Sequence, residues 1–392
     1  MTETQIRILP SLSEISPAQW DACAAGDQPR PEPFVSHAFL SALEEAGCVR
    51  ARTGWQPQHL VLDGPDGTAA GVVPAYLKSH SRGEYVFDQG WAEAYERAGG
   101  AYYPKLQVSV PFTPVSGRRL LVRPDAGVPN ATEVLGTGLV QLAKLRRASS
   151  VHVTFATETE WQGLADLGFL KRTDQQFHWI NEGYASFDEF LEALASRKRK
   201  AIRKERREAL ASGIEIEWLT GAQITEAAWD AFFVFYMDTG ARKWGQPYLN
   251  RKFFSLLGER MAHQVFLVMA KREGRYIAGA LNLIGADTLY GRYWGCTEQH
   301  PFLHFEICYH QAVDFAIAHG LKVVEAGAQG EHKLARGYLP RTTYSAHWIA
   351  DAGLRSAVKH YLDREREHVA QANEDLTALG PFRRGGAEAE VE

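Results

Sequence analysis

The sequence predicts an α/β chain made of two tandem copies of one unit, each a mixed central sheet flanked by helices. Three observations carry this expectation. Gly168-Phe-Leu-Lys-Arg-Thr-Asp-Gln-Gln-Phe-His-Trp-Ile180 aligns without a gap on Gly337-Tyr-Leu-Pro-Arg-Thr-Thr-Tyr-Ser-Ala-His-Trp-Ile349. Leu60-Val-Leu62, a glycine-containing turn and Ala70-Gly71 parallel Leu267-Val-Met269, a turn and Ala278-Gly279. Repeats that keep their order mark a duplicated unit. The 392 residues leave room for two domains of ordinary size.

Each copy reads helix, hairpin, strand, helix, strand, helix, strand. The Ala-Gly pairs stand 208 residues apart and the Gly-aromatic pairs 169 apart, so the first copy holds 39 more residues (208 − 169) between its landmarks. The first domain is expected over 1–183, with the extra material inside about 77–150. That region holds Tyr102-Tyr-Pro-Lys-Leu-Gln-Val-Ser-Val-Pro-Phe-Thr-Pro114, whose prolines and aromatics suit an ordered functional loop. Residues 184–212 form a basic helical linker, with one helix expected over Phe187–Leu210. The second domain is expected over 213–380. A helix around Ala228–Lys243 precedes the strand Val265–Ala270. Arg272-Glu-Gly274 turns it into the strand Ile277–Ile284. Ala286-Asp287 turns again into Thr288–Trp294. Over Phe302–His319 the residues Phe305, Cys308, Tyr309, Ala312, Phe315 and Ala316 repeat at helical spacing, and Gly320 ends the helix. Leu321–Ala326 is a short buried strand, and a helical turn leads to Gly337-Tyr338 and the last strand. Residues 381–392 read as a disordered tail.

Composition excludes several classes. Hydrophobic content of 45% and charged content of 23% fit a globular protein, and a net charge of −4 exerts no general pull on polyanions. Cys23, Cys48, Cys296 and Cys308 form no CxxC pair, so no disulfide framework or zinc knuckle is expected. The first residues lack a signal peptide's basic-then-apolar order, and no apolar run is long enough to span a bilayer. A cytoplasmic location is the expectation.

The order of elements, and the step Leu164-Ala-Asp-Leu-Gly-Phe169 into the closing strand, resemble the GNAT acyltransferase fold. Two such domains in tandem resemble the FemABX group of peptidyl and aminoacyl transferases. More specific segments are Tyr102-Tyr-Pro-Lys-Leu, Val110-Pro-Phe-Thr-Pro114, Gly291-Arg-Tyr-Trp-Gly295, Leu303-His-Phe-Glu306 and Glu325-Ala-Gly-Ala-Gln-Gly-Glu-His-Lys333. These resemble the FemAB-like bacterial family of predicted N-acyltransferases, from about Phe34 to Phe382. The resemblance implies a tandem GNAT fold and transfer of an acyl group to an amine. One departure concerns the donor. The stretch Cys296–His304 lacks the glycine pair with which acetyl-CoA-using GNAT proteins hold a pyrophosphate at a helix N-terminus.

Attack of an amine on an acyl donor needs a proton acceptor, donors for the oxyanion and a proton for the leaving group. Glu325–Lys333 concentrates suitable groups after a buried strand, where α/β folds place their sites. Glu325 stands among Val323, Val324 and Ala326, and His332 has the side chain best suited to acid–base work near neutrality. Glu306 and His304, at the start of the next helix upstream, complete the catalytic candidates. Gln329, Lys333 and Arg336 are candidates for binding a carbonyl oxygen or a phosphate. Arg292 and Trp294, on a central strand, join them. In the inserted region Asp88, Tyr95, Tyr103, Lys105 and Thr113 are candidate substrate contacts. No metal site is expected, since the histidines lack an H-E-x-x-H spacing. Arg172 and His178 recur as Arg341 and His347. A feature shared by both copies reads as structural.

The expected activity is N-acyl transfer to a primary amine, of a small molecule or a lipid, from an acyl-CoA or acyl carrier protein thioester. An aminoacyl-tRNA donor acting on a cell-wall precursor is the alternative enzyme, and a non-catalytic ligand-binding protein is the alternative from another class. The basic helix 197–207 suits tRNA, a carrier protein's acidic surface or peripheral contact with anionic lipid. Acids at Glu205 and Glu208 inside the run equally fit a solvated helix.

Overall fold

A computed structural model describes residues 5–244, 247–327 and 330–383, without the side chains of 240–244 and Glu331. Its strands are β1 (Ile6–Leu9), β2 (Trp55–Pro57), β3 (His59–Asp63), β4 (Ala69–Val73), β5 (Ala75–Lys78), β6 (Lys105–Val108), β7 (Leu121–Val122), β8 (Ser150–Ala156), β9 (Leu170–Ile180), β10 (Ile214–Thr220), β11 (Val265–Arg272), β12 (Arg275–Ile284), β13 (Thr288–Cys296), β14 (Val323–Glu325) and β15 (Leu339–Ile349). The chain forms two compact units. Unit 1 comprises Met1–Asp174, Tyr248–Met261 and Thr342–Ala370, and unit 2 comprises Gln175–Pro247, Ala262–Arg341 and Gln371–Glu392. The second half of β9 therefore lies in unit 2, and most of β15 in unit 1.

Unit 1 contains the antiparallel sheet β1-β3-β4-β7 and the strand series β15-β8-β6-β5-β2, in which β6 and β8 are parallel. Pro74 separates β4 from β5. A proline lacks the N–H that a continuous ladder requires, so the returning strand of the first hairpin divides between the two sheets. The same stretch of the second copy is a single ten-residue strand, β12. The helix Ala131–Leu145 buries Leu135, Leu139 and Leu142 with Leu106, Val108, Val151 and Val153 of the sheet.

Unit 2 carries the order β10-β11-β12-β13-β14-β9, antiparallel except for the β13–β14 pair. Its core includes the stacked rings of Phe266 and Phe315, 3.8 Å between centroids. The helix Glu226–Trp244 packs on β13. Gly295 permits this approach, because a Cβ there would stand 2.0 Å from the Phe235 carbonyl oxygen.

Three elements differ from the sequence expectation. Lys105–Val108, inside the expected loop Tyr102–Pro114, is the strand β6, paired with β5 and β8. The stretch 302–319 is not one regular α-helix: Leu303–Phe305 is followed by a π-helical turn, Glu306–His310, and then by Gln311–Ala318. Such wide turns concentrate at functional sites. The expected linker helix is two helices, Phe187–Glu192 and Ser196–Ala209. Between them Leu194 bridges Phe382, and the Ala195 amide donates to the Pro381 carbonyl. Pairing of this backbone with the end of the chain removes it from a helix. Residues 384–392 of the expected tail lie outside the described residues.

Candidate active site

The parallel pair β13–β14 in unit 2 is short. Thr288, Leu289 and Tyr290 face Val323, Val324 and Glu325, after which β14 ends and β13 runs on to Cys296. Burial follows: Thr288–Tyr290 are buried, whereas Gly291–Trp294 are half-buried. The register against β12 also shifts here, Leu281 facing Tyr293 and Asn282 facing Gly291, so Arg292 is an extra residue on β13. A bulge of this kind re-aims a side chain and is common beside active sites.

Arg292 uses that freedom to bind Glu325. Its Nη2 donates to Glu325 Oε1 over 2.6 Å, and its Nη1 donates to the Gly291 carbonyl over 2.8 Å. Both side chains are almost fully buried. A buried carboxylate is tolerated only when paired in this way. Lys333 Nζ donates to the Gly327 carbonyl over 2.9 Å. The lysine is buried and has no acidic partner among the described residues. Burial, reinforced by Arg292, lowers its pKa to about 8. An ammonium held at such a place can donate to a developing oxyanion. The third neighbour is His178, on β9, which lies directly across the ladder from Glu325. Its Nε2 is 4.0 Å from Glu325 Oε2 and 3.3 Å from Gln176 Oε1. Burial pulls its pKa below the usual imidazole value, against the pull of Glu325.

The other sequence candidates in unit 2 fall into two neighbouring groups. Glu306 is fully buried and accepts from Arg206 at 3.0 Å and from Gln311 at 2.6 Å, and Arg206 also binds Asp314 at 2.6 Å. Arg336 makes a two-pronged pair with Glu205, at 2.8 and 3.1 Å, and lies 3.4 Å over the Phe305 ring. His332 Nε2 is 2.9 Å from the Tyr309 hydroxyl. His304 packs its ring 5.0 Å from Trp294. Both line a cavity of about 360 Å³ with Thr239, Cys296 and His300. Phe302, at the start of the helix there, has φ +61°, a left-handed conformation that is costly for an aromatic residue. Gln329 lies outside the described residues.

The candidates in the inserted region sit in unit 1, mostly buried. Lys105 Nζ donates to Glu84 Oε2 at 2.8 Å, to Asp88 Oδ2 at 2.5 Å and to Ser81 at 2.8 Å. Lys78 stands 3.3 Å from Glu84. Burial lowers the Lys78 pKa to about 7, while burial of Asp88 is more than offset by Lys105, which holds its carboxyl below the usual range. Tyr102 donates to Asp88 at 2.7 Å, and Tyr103 donates to Ser81 at 2.9 Å. Thr113 is buried, and Tyr95 packs beside Trp91 and Tyr102. The structure thus gathers Asp88 and Lys105 into one ion network and pairs Arg292 with Glu325 in another place, with Lys333 held on the Gly327 carbonyl.

His178 was missed as a candidate. Its signal was the repeated Arg-Thr…His-Trp motif, which by itself does not say what each histidine faces. Among the described residues no three His, Cys, Asp or Glu side chains converge as a metal site, and no helix is long and apolar enough to cross a membrane.

The fold is one of two α/β units, and in unit 2 a parallel strand pair opens beside buried polar side chains. The FemAB-like family model, described as peptidoglycan biosynthesis/recognition, matches residues 11–384, and the chain belongs to that family. FemX is a structural neighbour with a TM-score of 0.54 and 14% identity, over 88% of this chain and 98% of its own. The C-terminal domain of a putative lysylphosphatidylglycerol synthetase from Agrobacterium fabrum gives 0.55 at 9% identity, over 97% and 100% of the two chains. L-PGS from Bacillus licheniformis gives 0.50 at 9%, over 82% and 95%. At these identities the likeness is one of fold. No curated protein matches the chain.

Proposed function

We propose that the chain is an N-acyltransferase that moves an acyl group from an activated donor to a primary amine at the parting of β13 and β14. The observation that carries this reading is the buried Arg292–Glu325 pair with the Lys333 ammonium beside it, where the parallel ladder opens. The amine attacks the carbonyl carbon, the oxyanion is met by a cationic donor, and the thiol or alcohol leaves. Lys333, in this reading, supplies that donor. Trp294 and His304 supply ring surface to the neighbouring cavity.

A second donor class has its own support. Cys296–His304 lacks the glycine pair that would cradle a CoA pyrophosphate, and the family description points to cell-wall chemistry. Both favour aminoacyl-tRNA as donor and a cell-wall precursor as acceptor. The helix Ser196–Ala209 exposes Arg197, Lys198, Lys200 and Arg207 without acidic partners among the described residues, which suits a phosphate-bearing or acidic donor.

The test incubates the full-length protein with acyl-CoA, acyl carrier protein thioester or charged tRNA. Glucosamine, lysine, a lysine-containing muropeptide and sphinganine serve as acceptors, with products read by mass spectrometry. Amide formation from one donor class, sharply lowered in Lys333→Met, is the expected result. Donor retained but never consumed across the panel favours the ligand-binding alternative instead.

A further inference from the structure

We infer that His178 is the proton acceptor of this site and that Glu325 positions it. The inference rests on the acyl-transfer reading and identifies the group that makes the amine nucleophilic. Exposure separates the four polar side chains. Glu325 is 3% exposed, Arg292 2% and Lys333 2%, whereas His178 is 16% exposed. Glu325 has one oxygen held by Arg292 and the other turned toward the ring, so it acts on a substrate through His178. The imidazole is the accessible end of the Arg292–Glu325–His178 series.

The tautomer follows from the partners. His178 Nε2 faces two acceptors, Gln176 Oε1 at 3.3 Å and Glu325 Oε2 at 4.0 Å. Neither can donate, so a neutral ring places its hydrogen on Nε2. Nδ1 then carries the lone pair, and it has no partner among the described residues. Charged groups acting on the ring are Glu325, which favours the imidazolium, and Arg292, Lys333 and Arg341, which oppose it. With burial, the balance keeps the imidazole neutral near pH 7, the state a base requires.

The duplicated motif supplies an internal comparison. His347, the repeat equivalent, faces His152 across β8 as His178 faces Glu325 across β14. Its Nδ1 is 2.7 Å from His152 Nδ1, and it is fully buried. One copy of the motif is sealed into unit 1, while the other presents a ring nitrogen in unit 2. His178 comes from the first repeat in sequence but belongs to unit 2 in space, so unit 2's polar group is incomplete without it.

The step balances. The amine nitrogen forms a bond to the acyl carbon, and its proton passes to His178 Nδ1. The bond from that carbon to sulfur or to ester oxygen then breaks. The imidazolium returns the proton to the leaving thiolate or alkoxide.

The experiment compares wild type, His178→Gln, His178→Ala and Glu325→Gln with octanoyl-CoA or charged tRNA as donor and hydroxylamine as amine. His178→Gln is expected to lower kcat by about 10²–10⁴-fold with little change in KM. Added imidazole should restore His178→Ala, which a purely structural role would not allow. Glu325→Gln should move the acid limb of the pH profile to lower pH, since the carboxylate raises the ring's pKa. Nitrogen-15 histidine spectra should show the Nε2–H tautomer in the wild type. A His178→Gln enzyme within twofold of wild type, or a ring protonated at Nδ1, overturns the inference while leaving acyl transfer standing. A wild type that transfers nothing from any of the three donor classes to any amine of the panel above defeats the acyl-transfer reading, and the nitrogen spectra still decide the ring's tautomer.

Discussion

Lys105→Met puts the buried ion network of unit 1 to its hardest test. Lys105 donates to Glu84, Asp88 and Ser81, and the three charged side chains are only 1–3% exposed. Methionine fills much the same volume and removes the charge. Deleting one partner of a buried ion pair costs about 3–5 kcal/mol, because the remaining charge is left without compensation. Lys78 stays 3.3 Å from Glu84, so the lower end applies, about 3 kcal/mol or roughly 150-fold in the folding equilibrium. Urea unfolding at pH 7 and pH 4 measures it. In the native protein Lys105 holds the Asp88 carboxyl below its usual range. That contribution is complete above the unfolded pKa of about 3.9 and is lost as pH falls through the folded value. In the variant burial dominates and the carboxyl shifts upward, so protonation relieves it. The deficit is therefore expected to shrink from pH 7 to pH 4. Adding Glu84→Gln and Asp88→Asn should recover more than half of the loss. A single variant within about 1 kcal/mol of wild type at pH 7, or a deficit that grows on acidification, would refute the reasoning, since exposed pairs show such small values.

Three further outcomes are expected. Gly295→Ala forces a Cβ to 2.0 Å from the Phe235 carbonyl oxygen, a backbone atom that cannot rotate aside, so unfolding should cost about 1–3 kcal/mol less than in wild type; an unchanged urea midpoint contradicts it. Lys333→Met should raise stability and lower transfer by about 10²–10³-fold. Because burial lowers the Lys333 pKa to about 8, the stability gap is full below that pH and closes as pH rises toward the unfolded value near 10.4, which unfolding at pH 7 and pH 10 resolves. Arg206→Met strands the fully buried Glu306, costing about 3–5 kcal/mol, and Glu306→Gln in the same chain should return much of it, as a thermal scan of both variants would show.

Much of this fold was legible from local signals. The gapless match of Gly168–Ile180 with Gly337–Ile349 announced two copies of one unit. Turn residues at Arg272-Glu-Gly274 and Ala286-Asp287 separated β11, β12 and β13. Gly320 ends its helix with φ +64°, as its position suggests. The π-helical turn at Glu306–His310 was not legible, because the apolar stripe keeps nearly the same spacing through it. The division of the linker helix at Leu194 was hidden too, since it depends on a bridge to Phe382 at the far end of the chain.

For the site the boundary lies in the same place. Sequence alone marked Glu325, Arg292 and Lys333, because polar groups after a buried strand stand out against their apolar surroundings. It also marked His178, but only as half of a repeated pair. Only the tertiary structure decided that His178 faces Glu325 while His347 faces His152, that an extra residue in β13 turns Arg292 onto the carboxylate, and that Asp88 and Lys105 neutralise each other in the interior of unit 1. The physical reason is range. Periodicity, turns and strand ends are set by neighbours a few residues away. Register, burial and ion pairing are set by strands far apart in the chain, and they determine which polar groups meet.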